Sequence, residues 1–139
     1  MKKFLMYAVA SFVLLSCSND KENVVPESGA QFKIEYTQSG GFDGYIKKVG
    51  FSEPLVFEGT ETVAGLILDD TKLIDSKYVF VTKTNVDLLK VTFNTEPKPG
   101  KGDMAEFSIN VYRNGKQIDN KSFKVAGGVM SHSWEYKSK

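Results

Sequence analysis

The stretch AEFSINVYRNGKQIDNKSFKV, residues 105–125, constrains the fold more than any other part of the chain. Apolar side chains recur at every second position in its first half, which is the pattern of a strand with one buried face. The pair Asn114-Gly115 follows, and these residue types tolerate the positive φ angles of a type I′ turn. The alternation then slips between Ile118 and Phe123. The stretch therefore predicts a β-hairpin with a bulge in its second strand.

Shorter runs of the same kind fill the rest of the chain from Gln31 onward. β-Branched and aromatic residues dominate these runs, as is typical of strands. Residues 85–90 give the best helical pattern of the domain, but the segment is too short for a stable helix. The predicted strands lie within residues 31–38, 45–51, 54–59, 62–68, 78–84, 88–95 and 133–136. About eight to ten short strands separated by turns predict an all-β fold, a single antiparallel β-sandwich rather than a barrel.

The N-terminal segment has the features of a targeting signal. Lys2 and Lys3 precede an apolar run of about 12 residues that ends at Leu15, and the small residue Ser16 follows. A membrane-spanning helix needs roughly 20 apolar residues, so this run is too short to span a bilayer. The segment therefore predicts a cleaved secretory signal peptide.

The segment LLSC, residues 14–17, resembles a bacterial lipobox. The resemblance implies cleavage before Cys17 and attachment of several acyl chains to it, which is enough for stable membrane attachment. An ordinary signal peptide followed by an unmodified cysteine is the alternative. The expected organisation is a lipoprotein signal peptide over residues 1–16, a flexible tether over 17–29 and a β-sandwich domain over 30–139. The expected location is the cell envelope, with the lipid in the outer membrane and the domain on its periplasmic or surface face.

Four features together resemble the small lipoproteins of Bacteroidetes: the lipobox, the polar tether, the opening strand FKIEYTQSGGF and the hairpin FSINVYRNGKQIDNKSFKV. The resemblance covers the whole chain. It implies one β-sandwich domain of immunoglobulin-like or transthyretin-like type, and it implies a location and a fold rather than a reaction. The segment SNDKE after the cysteine is similar to the acidic surface-export signal of such lipoproteins, although Lys21 dilutes it.

Charge and cysteine content limit the range of partners. The formal net charge is +1, and the charged residues are scattered along the chain. No basic patch indicates nucleic acid, so none is expected as a partner. Cys17 is the only cysteine, so the domain has no intrachain disulfide and needs a hydrophobic core. The expected partners are the membrane, through the lipid on Cys17, and an envelope protein or glycan.

The residues do not predict an enzyme. His132 is the only histidine, and a hydrolytic triad needs a histidine that is oriented by a carboxylate beside a nucleophile. Nothing in the sequence marks Ser131 or Ser133 as an activated serine. The acidic residues show no spacing that singles out a catalytic pair of carboxylates. We therefore expect no catalytic residue and no cofactor.

The acidic residues of the chain raise the question of a calcium site. Asp69, Asp70 and Asp75 flank a polar turn, and Asp43 lies in the glycine-rich segment SGGFDG. Calcium takes about six to eight oxygen ligands, and the spacing of these residues matches no EF-hand loop. Zinc is not expected, since its sites draw on several histidine and cysteine residues. The interpretation is a solvated acidic loop without a metal.

Aromatic residues give the remaining functional hypothesis. Trp134 and Tyr136 alternate on one face near the C-terminus, and Phe42 and Tyr45 flank the glycine-rich turn. Exposed aromatic rings can stack on sugars or anchor a protein partner, although Trp134 could instead fill the end of the core. The first hypothesis is a non-catalytic binding or accessory module with these four residues as its binding face. An inhibitor or immunity lipoprotein that neutralises an envelope toxin or protease is the second, and an envelope hydrolase is the third.

Overall fold

Nine β-strands and one 3-10 turn, Phe42–Gly44, form in residues 28–139, the part of the chain that the computed structural model describes. The strands are β1 (Phe32–Gly40), β2 (Tyr45–Phe51), β3 (Leu55–Phe57), β4 (Ile67–Asp69), β5 (Lys77–Thr82), β6 (Leu88–Pro97), β7 (Ala105–Arg113), β8 (Lys116–Val125) and β9 (Met130–Lys137). The predicted signal peptide, Cys17 and most of the predicted tether lie outside these residues. From residue 28 onward, no helix has the length and apolar character needed to cross a membrane.

Two antiparallel sheets enclose one hydrophobic core. The strand order is β3-β5-β1-β7-β8 in the five-stranded sheet and β4-β2-β6-β9 in the four-stranded sheet. Every strand ladder is antiparallel. The predicted fold class, a single antiparallel β-sandwich, is therefore confirmed.

The core is built from the inward-facing positions of each strand, because successive strand residues point to opposite faces. The alternation is clearest in β1, where Phe32, Ile34 and Tyr36 are buried, and it repeats in β6 and β7. Burial of one such side chain contributes about 1.5–3 kcal/mol. The ring centroid of Phe93 in β6 lies 6.0 Å from that of Tyr36 and 5.3 Å from that of Phe107 in β7. These contacts join the two sheets through aromatic side chains.

The predicted hairpin is present as β7, β8 and the turn between them. Asn114 has a φ of 50° and Gly115 a φ of 79°, which are the positive angles that a type I′ turn requires. The backbone N–H of Asn114 also donates to the carbonyl oxygen of Gln31 at 2.9 Å. The turn therefore closes the hairpin and contacts the chain just before β1.

The predicted bulge is present at Ile118. The register between β7 and β8 shifts between Val111 and Tyr112, so Ile118 is the extra residue of β8. Beyond the bulge, Asp119 lies opposite the buried Val111, and Phe123 lies opposite another buried residue of β7. The bulge thus turns Asp119 and Phe123 toward the interior of the sandwich.

The strand predicted over residues 62–68 is shorter than expected. Only Ile67–Asp69 forms β4, and Val63 makes an isolated bridge to Val56 of β3. The reason is topological, because β3 and β4 are edge strands of different sheets. Residues 62–64 pair with β3, whereas Leu66 already bonds to Phe51 of β2, so the chain changes sheets between them and cannot form one continuous strand.

Loops gather at the end of the sandwich away from the start of β1. Gly41 N–H donates to the carbonyl oxygen of Met104 at 2.9 Å, and Lys98 N–H donates to that of Gly44 at 2.8 Å. This region, here called the glycine-loop end, consists of residues 40–44, 70–76, 98–104 and 126–129. Because β1 has nine residues, the glycine-loop end is about 30 Å from the start of β1.

Candidate functional site

Tyr45 and Tyr136, two of the four residues of the predicted binding face, are buried. Tyr45 packs edge-to-face on Phe107 at 5.9 Å, and its hydroxyl donates to the carbonyl oxygen of Asp103 at 3.0 Å. Tyr136 is 8% exposed, and its hydroxyl donates to Oδ2 of Asp119 at 2.9 Å. Buried tyrosine hydroxyls usually find such partners. Both rings are therefore core side chains in this structure.

Phe42 and Trp134, the other two residues of that face, are half-buried and lie far apart. Phe42 belongs to the 3-10 turn that directly precedes Tyr45. Along β6, Tyr45 pairs with Pro97 and Trp134 pairs with Val91, an offset of six residues that corresponds to about 20 Å. The structure therefore does not bring the four predicted residues into one surface.

Trp134 instead belongs to a group of three aromatic side chains with Phe123 and His132, here called the aromatic edge. The ring centroid of Phe123 lies 4.8 Å from that of His132 and 5.9 Å from that of Trp134, and those of His132 and Trp134 are 5.4 Å apart. The ring planes differ by 11° to 26°. If the three rings were stacked in a single column, the centroids of the two outer rings would lie about twice as far apart as those of neighbouring rings. The three rings therefore form a closed triangle with near-parallel planes.

The aromatic edge lies where the edge strands β8 and β9 of the two sheets meet. His132 is exposed, whereas Phe123 and Trp134 are half-buried and pack against the core. The buried ring of Phe93 stacks on Phe123 with a centroid distance of 5.8 Å and an interplanar angle of 26°. The aromatic edge is thus the partly exposed margin of the aromatic core, and the core supports its rings from one side.

Sequence reasoning identified Trp134 but did not connect it with Phe123 or His132. A usable signal existed for His132, since residues two apart in a strand share a face. No comparable signal existed for Phe123, because its contact with β9 depends on two edge strands from different sheets meeting across the sandwich.

His132 is not paired with either neighbouring serine. Adjacent strand residues point to opposite faces, so Ser131 and Ser133 face away from the imidazole. The hydroxyl of Ser131 donates to Oδ1 of Asn94 at 2.6 Å on the outer face of the sheet. The imidazole itself stacks on two aromatic rings. In this geometry the imidazole contacts aromatic rings rather than a serine hydroxyl.

A buried lysine, Lys47, is the most unusual side chain of the glycine-loop end. It occupies an inward-facing position of β2, is 2% exposed, and donates from Nζ to the carbonyl oxygen of Leu73 at 3.2 Å. Its Nζ also lies 4.7 Å from the ring centroid of Phe42. Burial lowers the pKa of Lys47, and the carboxylates of Asp43 and Asp70 act in the opposite direction. The ammonium therefore lies between one carbonyl oxygen and one aromatic face.

Two of the carboxylates considered as calcium ligands are held by other side chains. Oδ2 of Asp70 lies 3.0 Å from Nζ of Lys98. Oδ1 of Asp69 accepts hydrogen bonds from the hydroxyl and the N–H of Thr71 at 2.6 and 3.1 Å, and the hydroxyl in particular lowers the pKa of Asp69. Among residues 28–139, Asp, Glu, His and Cys side chains form no group of three or more that could hold a metal ion.

Comparisons with known proteins give this fold a family and a set of structural relatives. A family model described as PLAT/LH2 and C2-like Ca2+-binding lipoprotein matches residues 2–135. No curated protein matches the chain.

Three solved structures are similar to it. An NMR structure of the calcium-bound form of a protein from Parabacteroides distasonis shares 24% identity and a TM-score of 0.64, over 76% of this chain and 92% of that chain. A DUF4425 family protein from Bacteroides ovatus shares 16% identity and a TM-score of 0.60, over 80% and 97%. A domain of unknown function, DUF4425, from Bacteroides vulgatus shares 15% identity and a TM-score of 0.59, over 79% and 95%.

Identities this low show a common fold and nothing finer. The family model is more informative, because it spans nearly the whole chain and includes the predicted lipobox. The chain therefore belongs to the family of PLAT/LH2 and C2-like Ca2+-binding lipoproteins.

Proposed function

We propose that this protein is a lipid-anchored binding module of the cell envelope, without catalytic activity, that holds a glycan or a protein partner at the aromatic edge. The observation that carries the proposal is the closed triangle of near-parallel rings formed by Phe123, His132 and Trp134. Aromatic side chains provide a large contact area at a low cost in conformational entropy. The buried ring of Phe93 stacks on Phe123 and so restricts the movement of the Phe123 ring.

The proposed anchor is a lipid on Cys17. Its support is membership of a lipoprotein family whose model includes this residue, together with the LLSC segment. We place the protein at the outer membrane, on its periplasmic or surface face. The family description names PLAT/LH2 and C2-like domains, so the finer expectation of an immunoglobulin-like or transthyretin-like type stays a prediction.

The test of the binding surface is crosslinking of the lipidated protein in intact cells, followed by purification and identification of what is bound. Wild type is compared with Trp134→Ala and with Tyr112→Ala. Tyr112 is a matched control because it is a half-buried aromatic residue in β7 whose ring contacts Nζ of Lys33, at 4.5 Å, rather than the aromatic edge. We expect Trp134→Ala to reduce recovery of the partner roughly tenfold, as is typical of an aromatic anchor. Tyr112→Ala should leave recovery unchanged, and circular dichroism should show both variants folded.

Each outcome distinguishes between the hypotheses. Recovery of a polysaccharide supports the glycan form of the proposal, and recovery of one stoichiometric protein supports the protein form. If that protein is a toxin or a protease, the inhibitor or immunity hypothesis takes its place. Equal recovery with wild type and Trp134→Ala contradicts the aromatic edge as the binding surface.

Two further measurements test the other parts of the proposal. Turnover of a glycan, ester or peptide substrate by the purified protein would contradict the absence of catalysis. Metabolic labelling with palmitate should mark the wild type and should be lost in Cys17→Ser. Persistent labelling of that variant would disprove the assigned anchor.

A further inference from the structure

The family description implies calcium, but the described residues of this chain hold two lysine ammonium groups among the loops of the glycine-loop end, one bonded to a buried carbonyl oxygen and one paired with a carboxylate. We propose that Lys47, together with Lys98, supplies the positive charge that a bound cation would supply at the glycine-loop end. The domain then folds and holds these loops without calcium. This inference concerns the chain's own side chains and is independent of any partner at the aromatic edge.

Lys47 reaches the loops from inside the sandwich. Its ammonium donates to the carbonyl oxygen of Leu73 at 3.2 Å, and the side-chain amide of Gln38 donates to the same oxygen at 2.8 Å. A carbonyl oxygen has two lone pairs. Both lone pairs of the Leu73 carbonyl are thus engaged by N–H donors, which leaves none for a metal ion.

Two carboxylates from different loops act on this ammonium electrostatically, although both lie outside ion-pair distance of it. Burial and the nearby Lys98 lower the pKa of Lys47, whereas Asp43 in the 3-10 turn and Asp70 just after β4 act to raise it. Asp70 also contacts Lys98 at 3.0 Å, and the backbone N–H of Lys98 donates to the carbonyl oxygen of Gly44 at 2.8 Å. Lys98 therefore connects three loops, and its ammonium neutralises the carboxylate of Asp70.

These residues do not fit a calcium ion at this place. Calcium needs about six to eight oxygen ligands, and no group of three potential acidic, histidine or cysteine ligands exists within residues 28–139. A divalent ion would also experience repulsion from both ammonium groups, which is strong where the surroundings exclude water. Calcium could bind here only if the ammonium groups of Lys47 and Lys98 were removed.

Removal of the two ammonium groups would leave oxygen atoms behind. The carboxylate of Asp70 and the carbonyl of Leu73 would lose their lysine partners, and the carboxylate of Asp43 would lose a nearby positive charge. Thr95 is the ladder partner of Lys47, and its buried hydroxyl is the one buried side-chain polar atom in the described residues that has no hydrogen-bond partner. Carboxylate, carbonyl and hydroxyl oxygens are suitable donors for calcium. Replacement of both lysines by residues with amide oxygens, which are also calcium donors, should therefore create a calcium response that the natural chain lacks.

The experiment compares thermal unfolding in millimolar calcium chloride and in EDTA. The double variant Lys47→Asn/Lys98→Gln is compared with wild type and with the control Lys48→Asn/Lys101→Gln. Lys48 and Lys101 are exposed neighbours on the same strand and loop, so the control removes the same total charge. We expect wild type and control to have the same Tm in both solutions. The double variant should have a lower Tm in EDTA and regain roughly 10 °C when calcium exceeds its dissociation constant about a hundredfold.

Wild-type protein alone can overturn the proposal, even if the double variant does not fold. A rise of its Tm in calcium, with amide chemical shifts that move at residues 40–44 and 70–76, would show that the lysines do not replace the ion. A folded double variant whose Tm ignores calcium would show that Lys47 does not occupy a cation position. Unchanged wild type together with a calcium-responsive double variant supports the proposal.

Discussion

The hydroxyl of Tyr136 in β9 donates a hydrogen bond of 2.9 Å to Oδ2 of Asp119 in β8. The two strands are edges of different sheets, so this bond joins the sheets beside the aromatic edge. Asp119 has a second partner on its own strand, since Oδ2 lies 3.0 Å from Nζ of Lys121. Burial and this hydrogen bond raise the pKa of Tyr136, so the hydroxyl keeps its proton at any ordinary pH.

Tyr136→Phe should lower the free energy of unfolding by about 1–2 kcal/mol, because it removes a hydrogen bond to a charged group and keeps the buried ring. Urea unfolding measures the change. Tyr112→Phe is the control, since Tyr112 contacts Lys33 through its ring, and it should change stability by less than about 0.5 kcal/mol. An equal effect of the two variants would mean that the bond between β8 and β9 does not stabilise the domain.

Asp119→Asn should remove part of the acid dependence of stability. Burial acts to raise the pKa of Asp119, but its hydrogen bonds to Lys121 and Tyr136 outweigh burial and hold the pKa below its ordinary value. A carboxylate with a lowered pKa in the folded state stabilises the protein above its unfolded-state pKa of about 3.9. This contribution is lost as the pH falls through the lowered pKa.

The stability difference between wild type and Asp119→Asn should therefore be constant from neutral pH to about pH 5, and it should shrink below about pH 4. Chemical unfolding at a series of pH values measures it. A difference that grows as the pH falls would reverse the sign of the linkage and refute the assignment.

Thr95→Val should raise the free energy of unfolding by about 1 kcal/mol. The hydroxyl of Thr95 is buried without a partner, and replacement by a methyl group removes that penalty at constant shape. The matched control is Thr82→Val, because the hydroxyl of the equally buried Thr82 accepts a hydrogen bond from the N–H of Phe32 at 3.0 Å. The control should lose stability. Destabilisation by both variants would indicate that the Thr95 hydroxyl has a partner in solution.

Gly40→Ala should be more harmful than Gly59→Ala. Both glycines have positive φ angles, 70° and 75°, so both variants should lose about 1–2 kcal/mol from backbone strain. A Cβ at Gly40 would also lie 2.6 Å from the carbonyl oxygen of Met104, whereas a Cβ at Gly59 meets nothing within 4 Å. The overlap should cost Gly40→Ala about 1–3 kcal/mol more. Equal Tm values for the two variants would mean that the backbone near Met104 shifts to accommodate the Cβ at little cost in free energy.

Local patterns were enough to predict the strands and the hairpin of this domain. The Asn114-Gly115 turn and the bulge at Ile118 each follow from a few neighbouring residues. The length of β4 did not follow, because it depends on where the chain leaves β3 and crosses to the other sheet. The full extent of β9, Met130–Lys137, was also missed, since its pairing partner β6 is distant in sequence.

The candidate sites were harder to predict than the fold. Trp134 was identified, but its contact with Phe123 requires knowledge of which edge strands meet. Lys47 shares its inward parity with Tyr45 and Val49 in β2, so the sequence did contain a sign of a buried charge. Its partners come from two loops, and no spacing along the chain could have named them.

The central position of β1 has a mechanical consequence. In the five-stranded sheet, β1 lies between β5 and β7 and pairs with both. With the proposed lipid on Cys17, any force between the membrane and a bound partner enters the domain at Ala30 and acts along β1. Extraction of this strand would have to shear two antiparallel ladders at once, whereas an edge strand can peel away one hydrogen bond at a time. With that anchor, the domain would be attached through a strand that is held on both sides rather than through an edge strand.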